Sequence, residues 1–383
     1  MLGSMTPRRM NLYFFNWPSH VGGADTKLVH LLPLLSPWYD ITLIPNHLNQ
    51  LQDPEWSGWV LQHGFHACLA TDLPDHLEGW AISLCNTAFL DDALYLDARR
   101  KGLKIAWSNE MMWHFKTELG ALCFGRIDTV LYTSPAQRAV LEPGYRAALE
   151  AVDGVPEACL HKWGRFSSPG GQRHLAWVET GNWIDPAQFP FRARGGDGHR
   201  GGFAVGRVSR PDPDKFPDDF PSSWEGLGLR DPVRFRVLGW SAQMTALWEN
   251  HAWDDRWELL PAGSVPVVDF LNTVDLLVYE VGPRFRESWG RAVVEAMLCG
   301  VVPLVPAGPE HHLEQLVPHG MGGFVCNGRE DFGTYARQLQ DDPALLQRMS
   351  LGAREWASQV LCRASDHLAL WHRVFQEIQD DHC

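Results

Sequence analysis

The sequence predicts an α/β protein with two parallel-sheet domains. Three observations carry the prediction. The chain has 383 residues, more than one hydrophobic core usually organises. Short apolar runs alternate with helical patterns in both halves, the order that gives a parallel sheet with helices on both faces. Between the halves lies RARGGDGHRGG (192–202), Gly- and Arg-rich without an apolar period, which reads as a linker.

The elements follow in order. MNLYFFNW (10–17) is a β-rich run closed by the turn PSHVGG. ADTKLVHLLPLLS reads as a helix, with Leu28, Leu31 and Leu32 on one face and Pro33 as a kink or an early end. ITLIP (41–45), HACLAT (66–71) and AISLC (81–85) are further strands. LDDALYLDARRKG (90–102) ends in basic residues and Gly102, the chemistry of a helix C-terminus. KIAWS (104–108) and TVLYTS (129–134) complete this set. After the linker come GFAVGRVS (202–209), RFRVLGW (234–240), VPVVDFL (265–271), DLLVYEVG (275–282), VVPLVP (301–306) and GGFVCN (322–327) as strands. Residues 342–382 are helical in pattern.

Composition bounds the function. A net charge of −13 argues against a nucleic-acid partner and against a generally basic membrane-docking face, leaving peripheral membrane contact at most. No apolar stretch reaches transmembrane length, and the run after MLGSMTPRRM is too short for a signal peptide. The eight cysteines include no CxxC pair, which fits reduced thiols in a cytoplasmic setting. Eighteen Trp against seven Tyr is unusual, and composition supplies no reason for it.

The chemistry concentrates in ESWGRAVVEAMLCGVVPLVP (287–306). Glu295 interrupts an apolar run, and burying an unpaired carboxylate is costly. Glu287 precedes it by eight residues, just past the strand DLLVYEVG. Both carboxylates then point to the carboxyl end of the second sheet, where a carboxylate can accept two hydroxyls of a ribose or a sugar. An isolated pair at this spacing is more often a solvated one. VGRVSRPDPDK (205–215) places Arg207 and Lys215 after another strand end, and two cations there suit a diphosphate. Gly22 and Gly23 form a turn before a helix, where backbone can approach a ligand. The GxGxxG fingerprint is absent, which disfavours a nicotinamide dehydrogenase.

These motifs, in this order, resemble the GT-B fold retaining glycosyltransferases of family 4. VGGAD matches the early Gly-Gly-Ala-acid turn at Gly22, Gly23, Ala24 and Asp25. TVLYTSPAQRAVL resembles the strand leading to a mid-chain serine, at Ser134. GNWIDPAQF resembles the segment before the linker through Asn182, Asp185 and Phe189. Gly206, Arg207 and Lys215 match the phosphate motif, and E-SWGRAVV-EAMLCGVVPL matches the E-x7-E element. Glu314, Gly320 and Gly323 match a later "E…G…G" stretch.

The resemblance implies a GT-B architecture, two Rossmann-like domains whose parallel sheets face a central cleft. It implies an acceptor domain over 1–195, a donor domain over 196–360, and a C-terminal helix (361–383) packing back toward the first. It implies transfer of a sugar, with retention, from a nucleoside-diphosphate sugar, UDP- or GDP-linked, to an acceptor hydroxyl not identified by the sequence. Glu295 would hold the ribose, Glu287 the sugar, and Arg207 and Lys215 the diphosphate. Arg207, Lys215 and Glu287 are the catalytic set, and Gly22, Gly23, Gly206, Ser288, Trp289 and Gly290 complete the donor site. Fixed cations at the leaving phosphate make a metal unnecessary, and no cofactor is implied.

The chain departs from the family pattern in three places. The Arg207–Lys215 spacing is longer than usual, so Arg210 could share the role. The family's "HD/HE" appears as Ser108-Asn109-Glu110, leaving Asn109, Glu110 or His114 on the acceptor side. Ser288-Trp289 stands where the family has a small aromatic after the first glutamate, reshaping the sugar pocket. His66 is a weaker acceptor-side candidate. A nucleotide-sugar epimerase, a phosphorylase and a non-catalytic scaffold of the same fold are the alternatives.

Overall fold

The computed structural model describes residues 9–20, 22–123, 127–153, 175–195, 202–309 and 311–376. The chain divides into two compact units, residues 1–182 with 364–383 and residues 183–363.

The first unit holds strands β1 (Met10–Phe14), β2 (Tyr39–Leu43), β3 (His66–Ala67), β4 (Trp80–Leu84), β5 (Lys104–Ser108), β6 (Thr129–Tyr132) and β7 (Ala176–Glu179). They form one parallel sheet in the order β3-β2-β1-β4-β5-β6-β7. Successive residues of one strand enter opposite cores. Leu12 and Phe14 pack with Leu28, Leu31 and Leu32 of helix Gly23–Leu35, whereas Tyr13 and Phe15 join Phe89, Trp107 and Tyr145. A sheet covered on both faces needs strands that are apolar throughout, hence the unbroken run MNLYFF. Helix Ala364–Gln376 completes this unit, with Trp371, Val374 and Phe375 in the core beside Tyr39 and Trp80.

The second unit holds β8 (Phe203–Val208), β9 (Val233–Trp240), β10 (Trp257–Pro261), β11 (Leu276–Val278), β12 (Val302–Pro306) and β13 (Phe324–Cys326), parallel in the order β10-β9-β8-β11-β12-β13. In both sheets the first strand sits inside, and the strand order reverses beside it, at β1/β4 and at β8/β11. Ligands of open α/β sheets lie outside the strands' carboxyl ends at such a reversal.

Several expected elements differ. VPVVDFL is not a strand: Val267–Leu271 is a short helix, with Phe270 and Leu271 buried. An apolar run this short has no periodicity that separates the two states. The strand of this region is WELLP, β10. Residues 90–102 form two helices, Thr87–Asp91 and Leu94–Arg100, broken where Ala93 turns left-handed (φ 58°). Only His66–Ala67 of HACLAT pairs as strand. Of the expected linker, 196–201 lie outside the described residues, but Arg194 is fully buried, donating to the carbonyls of Val274 (2.7 Å), Leu271 (2.9 Å) and Arg192 (2.5 Å). Its polar head is satisfied entirely by backbone, which lets an arginine sit in a core.

The tryptophan excess also acquires a place. Trp224, Trp240, Trp248 and Trp257 pack with Phe216, Phe220 and Phe235 against the second sheet. Trp224 and Trp257 stack with centroids 5.9 Å apart. Trp56, Trp80 and Trp107 fill the first unit's cores, whereas Trp113 is 49% exposed.

No helix among the described residues is long and apolar enough to cross a membrane.

Candidate functional site

At the β8/β11 reversal the second unit brings Arg207, Lys215 and Glu287 together. Lys215 ends the short turn Pro213–Lys215, capped by Asp212, whose side chain accepts from the Asp214 N–H (3.1 Å). Its Nζ lies 3.4 Å from Glu287 Oε2 and 4.5 Å from the Phe285 ring centroid. Tyr279, just past β11, donates its hydroxyl to the same Oε2 at 2.7 Å. Burial alone would push the Glu287 carboxyl up, but Lys215, the Tyr279 hydroxyl and Arg207 outweigh it and hold it below the usual range. Burial pulls the Lys215 ammonium below the ordinary lysine value, against the attraction of Glu287. Glu287 is therefore an ionised, enclosed carboxylate with Oε2 pinned. Its Oε1 has no partner among the described residues.

Arg207, the motif arginine, is engaged by backbone carbonyls and aromatic rings. It is 1% exposed. Its guanidinium donates to the carbonyls of Lys215 (2.6 Å) and Glu280, and lies 4.4 Å from the ring centroids of both Phe216 and Tyr279. This cation pins the loops after β8 and β11 to each other. Arg210 is exposed, and its guanidinium has no hydrogen-bond or ion-pair partner among the described residues, although its charge reaches Lys215 and Tyr279. Beside this cluster opens a cavity of about 490 Å³, whose lining includes Val281, Phe285, Arg286, Pro306, Ala307 and His311. Arg286 is exposed and likewise unpaired among the described residues. The ring of His311 accepts the Glu287 backbone N–H at Nδ1 (3.3 Å), which ties the cavity wall to the carboxylate loop.

The loop ends at Gly290, in the left-handed region (φ 92°) as N-cap of helix Arg291–Leu298. A Cβ there would fall 2.6 Å from Leu313 Cδ2, so both conformation and packing require glycine. One turn into the helix, Glu295 Oε1 accepts from Arg291 Nε at 2.7 Å, and both side chains are 12% exposed. This partner answers the cost of a carboxylate in an apolar helix. Burial still raises the Glu295 carboxyl, with Arg291 opposing. The signal was available, because Arg291 and Glu295 stand at the i, i+4 spacing of helix ion pairs. Trp289 is buried at 5% exposure and Ser288 is half-buried. Gly206 serves packing, since a Cβ would meet Val274 at 2.6 Å.

In the first unit, Gly22 is the N-cap of helix Gly23–Leu35 at φ 102°, and a Cβ at Gly23 would meet open space. Asn109 is buried, with Nδ2 donating to Glu118 Oε2 (2.7 Å) and the Trp113 carbonyl (3.0 Å), and Oδ1 accepting from Met111 N–H (2.8 Å). His114 Nε2 pairs with the Leu141 carbonyl (2.8 Å) and its ring meets Tyr145 edge-on. These two hold the loop after β5 in shape, and Glu110 is the member of the trio with capacity left over. Of the motif residues outside the site, Ser134 caps helix Pro135–Asp153 by accepting Gln137 N–H (3.0 Å), and Glu314 accepts Gly308 N–H (3.1 Å).

Sequence reasoning passed over Glu118. It is fully buried and accepts from Trp107 Nε1 (3.0 Å), Phe115 N–H (2.9 Å), Asn109 and the Tyr145 hydroxyl, while burial pushes its carboxyl up to about 7 from 4.5. A raised folded value means the contribution is largest below the unfolded value and is lost as pH rises through about 7. Burial pushes Asp25 the same way, to about 6. Unfolding free energies from pH 4.5 to 8 should fall more steeply for wild type than for Glu118→Gln, by roughly 3 kcal/mol in total. Parallel curves would refute the assignment.

No protein-family model matches the sequence, and no curated protein matches it. Solved structures do resemble the fold. HepE of Anabaena, solved in complex with UDP-glucose, superposes with TM-score 0.68 at 15% identity over 96% of this chain and 99% of that one. A glycosyltransferase from Rickettsia africae gives 0.69 at 10% identity, over 97% and 99%. The sucrose-phosphate synthase of Thermosynechococcus elongatus gives 0.62 at 12% identity, over 97% and 100%. At such identities the likeness establishes the fold: two Rossmann-like parallel-sheet domains of the GT-B class.

Proposed function

We propose that this chain is a glycosyltransferase that moves a sugar from a nucleoside-diphosphate sugar to an acceptor hydroxyl, with retention and without a metal. The observation that carries the reading is the Lys215–Glu287–Tyr279 cluster at the β8/β11 reversal, beside a cavity whose lining includes Arg286, unpaired among the described residues, and within the electrostatic reach of Arg210. Departure of a nucleoside diphosphate builds negative charge on the leaving phosphate. Cations already in place stabilise that charge without reorganising. Lys215 and Arg210 supply them here, with Arg286 at the rim, while Arg207 holds the loops that present them. An incoming phosphate also restores a full charge to Lys215, whose ammonium burial disfavours. Glu287 offers Oε1 to a donor-sugar hydroxyl. Glu295 offers the oxygen that Arg291 leaves open to the ribose. Retention follows if the acceptor attacks from the face the phosphate leaves, a geometry that needs no enzymic nucleophile.

A thermal-shift panel of UDP, GDP, ADP, TDP and CDP, followed by hydrolysis of the matching sugars, tests the reading. A stabilising shift with one nucleotide is expected, since a ligand that binds only the folded chain raises its melting temperature. No shift with any of them would move the weight to a non-catalytic scaffold. Phosphate-dependent cleavage would indicate a phosphorylase, and interconversion of the donor sugar an epimerase. Glu295→Ala should weaken binding of the selected nucleotide about tenfold or more.

A further inference from the structure

We propose that Lys27 is a positioning residue that holds Glu110 in place as a hydroxyl acceptor, and that this pair forms a sugar-binding subsite of the first unit. The proposal rests on the glycosyl-transfer reading and deepens it.

Lys27 lies in helix Gly23–Leu35, the connection that follows β1, and Glu110 lies just past β5. Strand β4 separates β1 from β5 in the sheet, so the pair spans the carboxyl end of β4 at the reversal of strand order. Lys27 Nζ is 2.9 Å from Glu110 Oε1, and the side chains are 1% and 9% exposed. Ser108 donates to the same oxygen at 2.7 Å. Oε2 has no partner among the described residues, and the Lys27 ammonium, with three protons, has Glu110 as its one hydrogen-bond partner there. An enclosed ion pair with one spare acceptor and spare donors is incompletely satisfied, and such pairs are costly to keep. A sugar hydroxyl can donate to Oε2 and accept from Nζ, and a vicinal diol can do both at once.

The backbone supports the same reading. Glu110 sits at φ 62°, a left-handed conformation uncommon for a residue with a long side chain. The loop around it is built rigidly. Asn109 is locked to Glu118, His114 to the Leu141 carbonyl, and Gln137 Nε2 donates to the Met111 carbonyl (2.7 Å). That loop also presents Trp113 at 49% exposure, and an exposed indole suits the apolar face of a sugar ring. Lys27 acts through Glu110: without its ion-pair partner the carboxylate is no longer held in this position, and the acceptor is lost.

The test is ligand-observed saturation-transfer NMR with the full chain and millimolar glucose, galactose, mannose and methyl α-glucoside. Wild type should bind at least one of them. Glu110→Gln and Lys27→Met should each lose about tenfold in affinity. The double variant should lose no more than Glu110→Gln alone, and Lys27→Arg should recover part of the binding. A purely structural lysine would lower the melting temperature and leave sugar affinity unchanged. Sugar binding by Lys27→Met equal to wild type overturns the positioning role. If Lys27→Met fails to fold, Lys27→Arg and Glu110→Gln still decide it. Absence of binding by wild type to all four sugars overturns the subsite. The UDP thermal shift reports on the second unit separately, so a lost subsite with the shift intact leaves the donor reading standing.

Discussion

Glu287→Gln should reduce donor turnover by about a hundredfold and destabilise the second unit by roughly 3–5 kcal/mol. The two losses have one origin. The variant keeps the shape but removes the charge that compensates Lys215, leaving an ammonium only 8% exposed without its counter-ion. It also weakens the acceptor that Tyr279 shares. The pH dependence has a definite sign. Because the folded Glu287 carboxyl lies below its ordinary value of 4.5, its stabilisation is complete above that value and is lost as pH falls through the lowered one. Denaturant midpoints from pH 3 to 7 should show that acid loss in wild type and not in Glu287→Gln. Glu287→Gln/Lys215→Met should recover much of the stability and none of the turnover. If the single variant turns over donor at the wild-type rate, Glu287 is not at the reacting sugar.

Arg207→Met and Arg210→Ala should separate cleanly. Arg207→Met removes two donors from the Glu280 and Lys215 carbonyls and a cation held between Phe216 and Tyr279. Each orphaned buried group costs about 1–3 kcal/mol, so a loss of roughly 3 kcal/mol or more is expected. Nucleotide affinity of the folded fraction should change little. Arg210→Ala touches an exposed, unpaired side chain, so the melting temperature should hold while nucleotide affinity falls about tenfold. Chemical denaturation beside nucleotide titration reads both quantities. The opposite outcome, stability lost at Arg210 and affinity at Arg207, would return the phosphate role to the motif arginine.

How much of this was legible beforehand depends on the range of the interaction. The run MNLYFF and the segment DLLVYEVG declared buried strands, and Glu287 followed the second by a few residues, so its place at a strand's carboxyl end was readable. The ion pair that satisfies Glu295 was readable too, in the four-residue step from Arg291. VPVVDFL was misleading because five apolar residues suit either state, and the choice fell to which side chains the sheet buries. The burial of Arg207 and the exposure of Arg210 were not readable. Two residues separate two like cations, and nothing local says which one meets two carbonyls and two rings.

Alternation of strand and helix, the two-unit plan and the positions of Glu287 and Glu295 relative to strand and helix ends were determined by sequence alone, because periodicity and chain order act over neighbouring residues. The tertiary structure decided which carboxylate oxygen is pinned and which is open at Glu287 and Glu110. It decided that Asn109 and His114 hold a loop while Glu110 keeps an open oxygen, and that Lys27, 83 residues away, pairs with Glu110. Those outcomes depend on burial and on partners distant in the chain, and burial sets both the charge state of a side chain and the hydrogen bonds it has left to give.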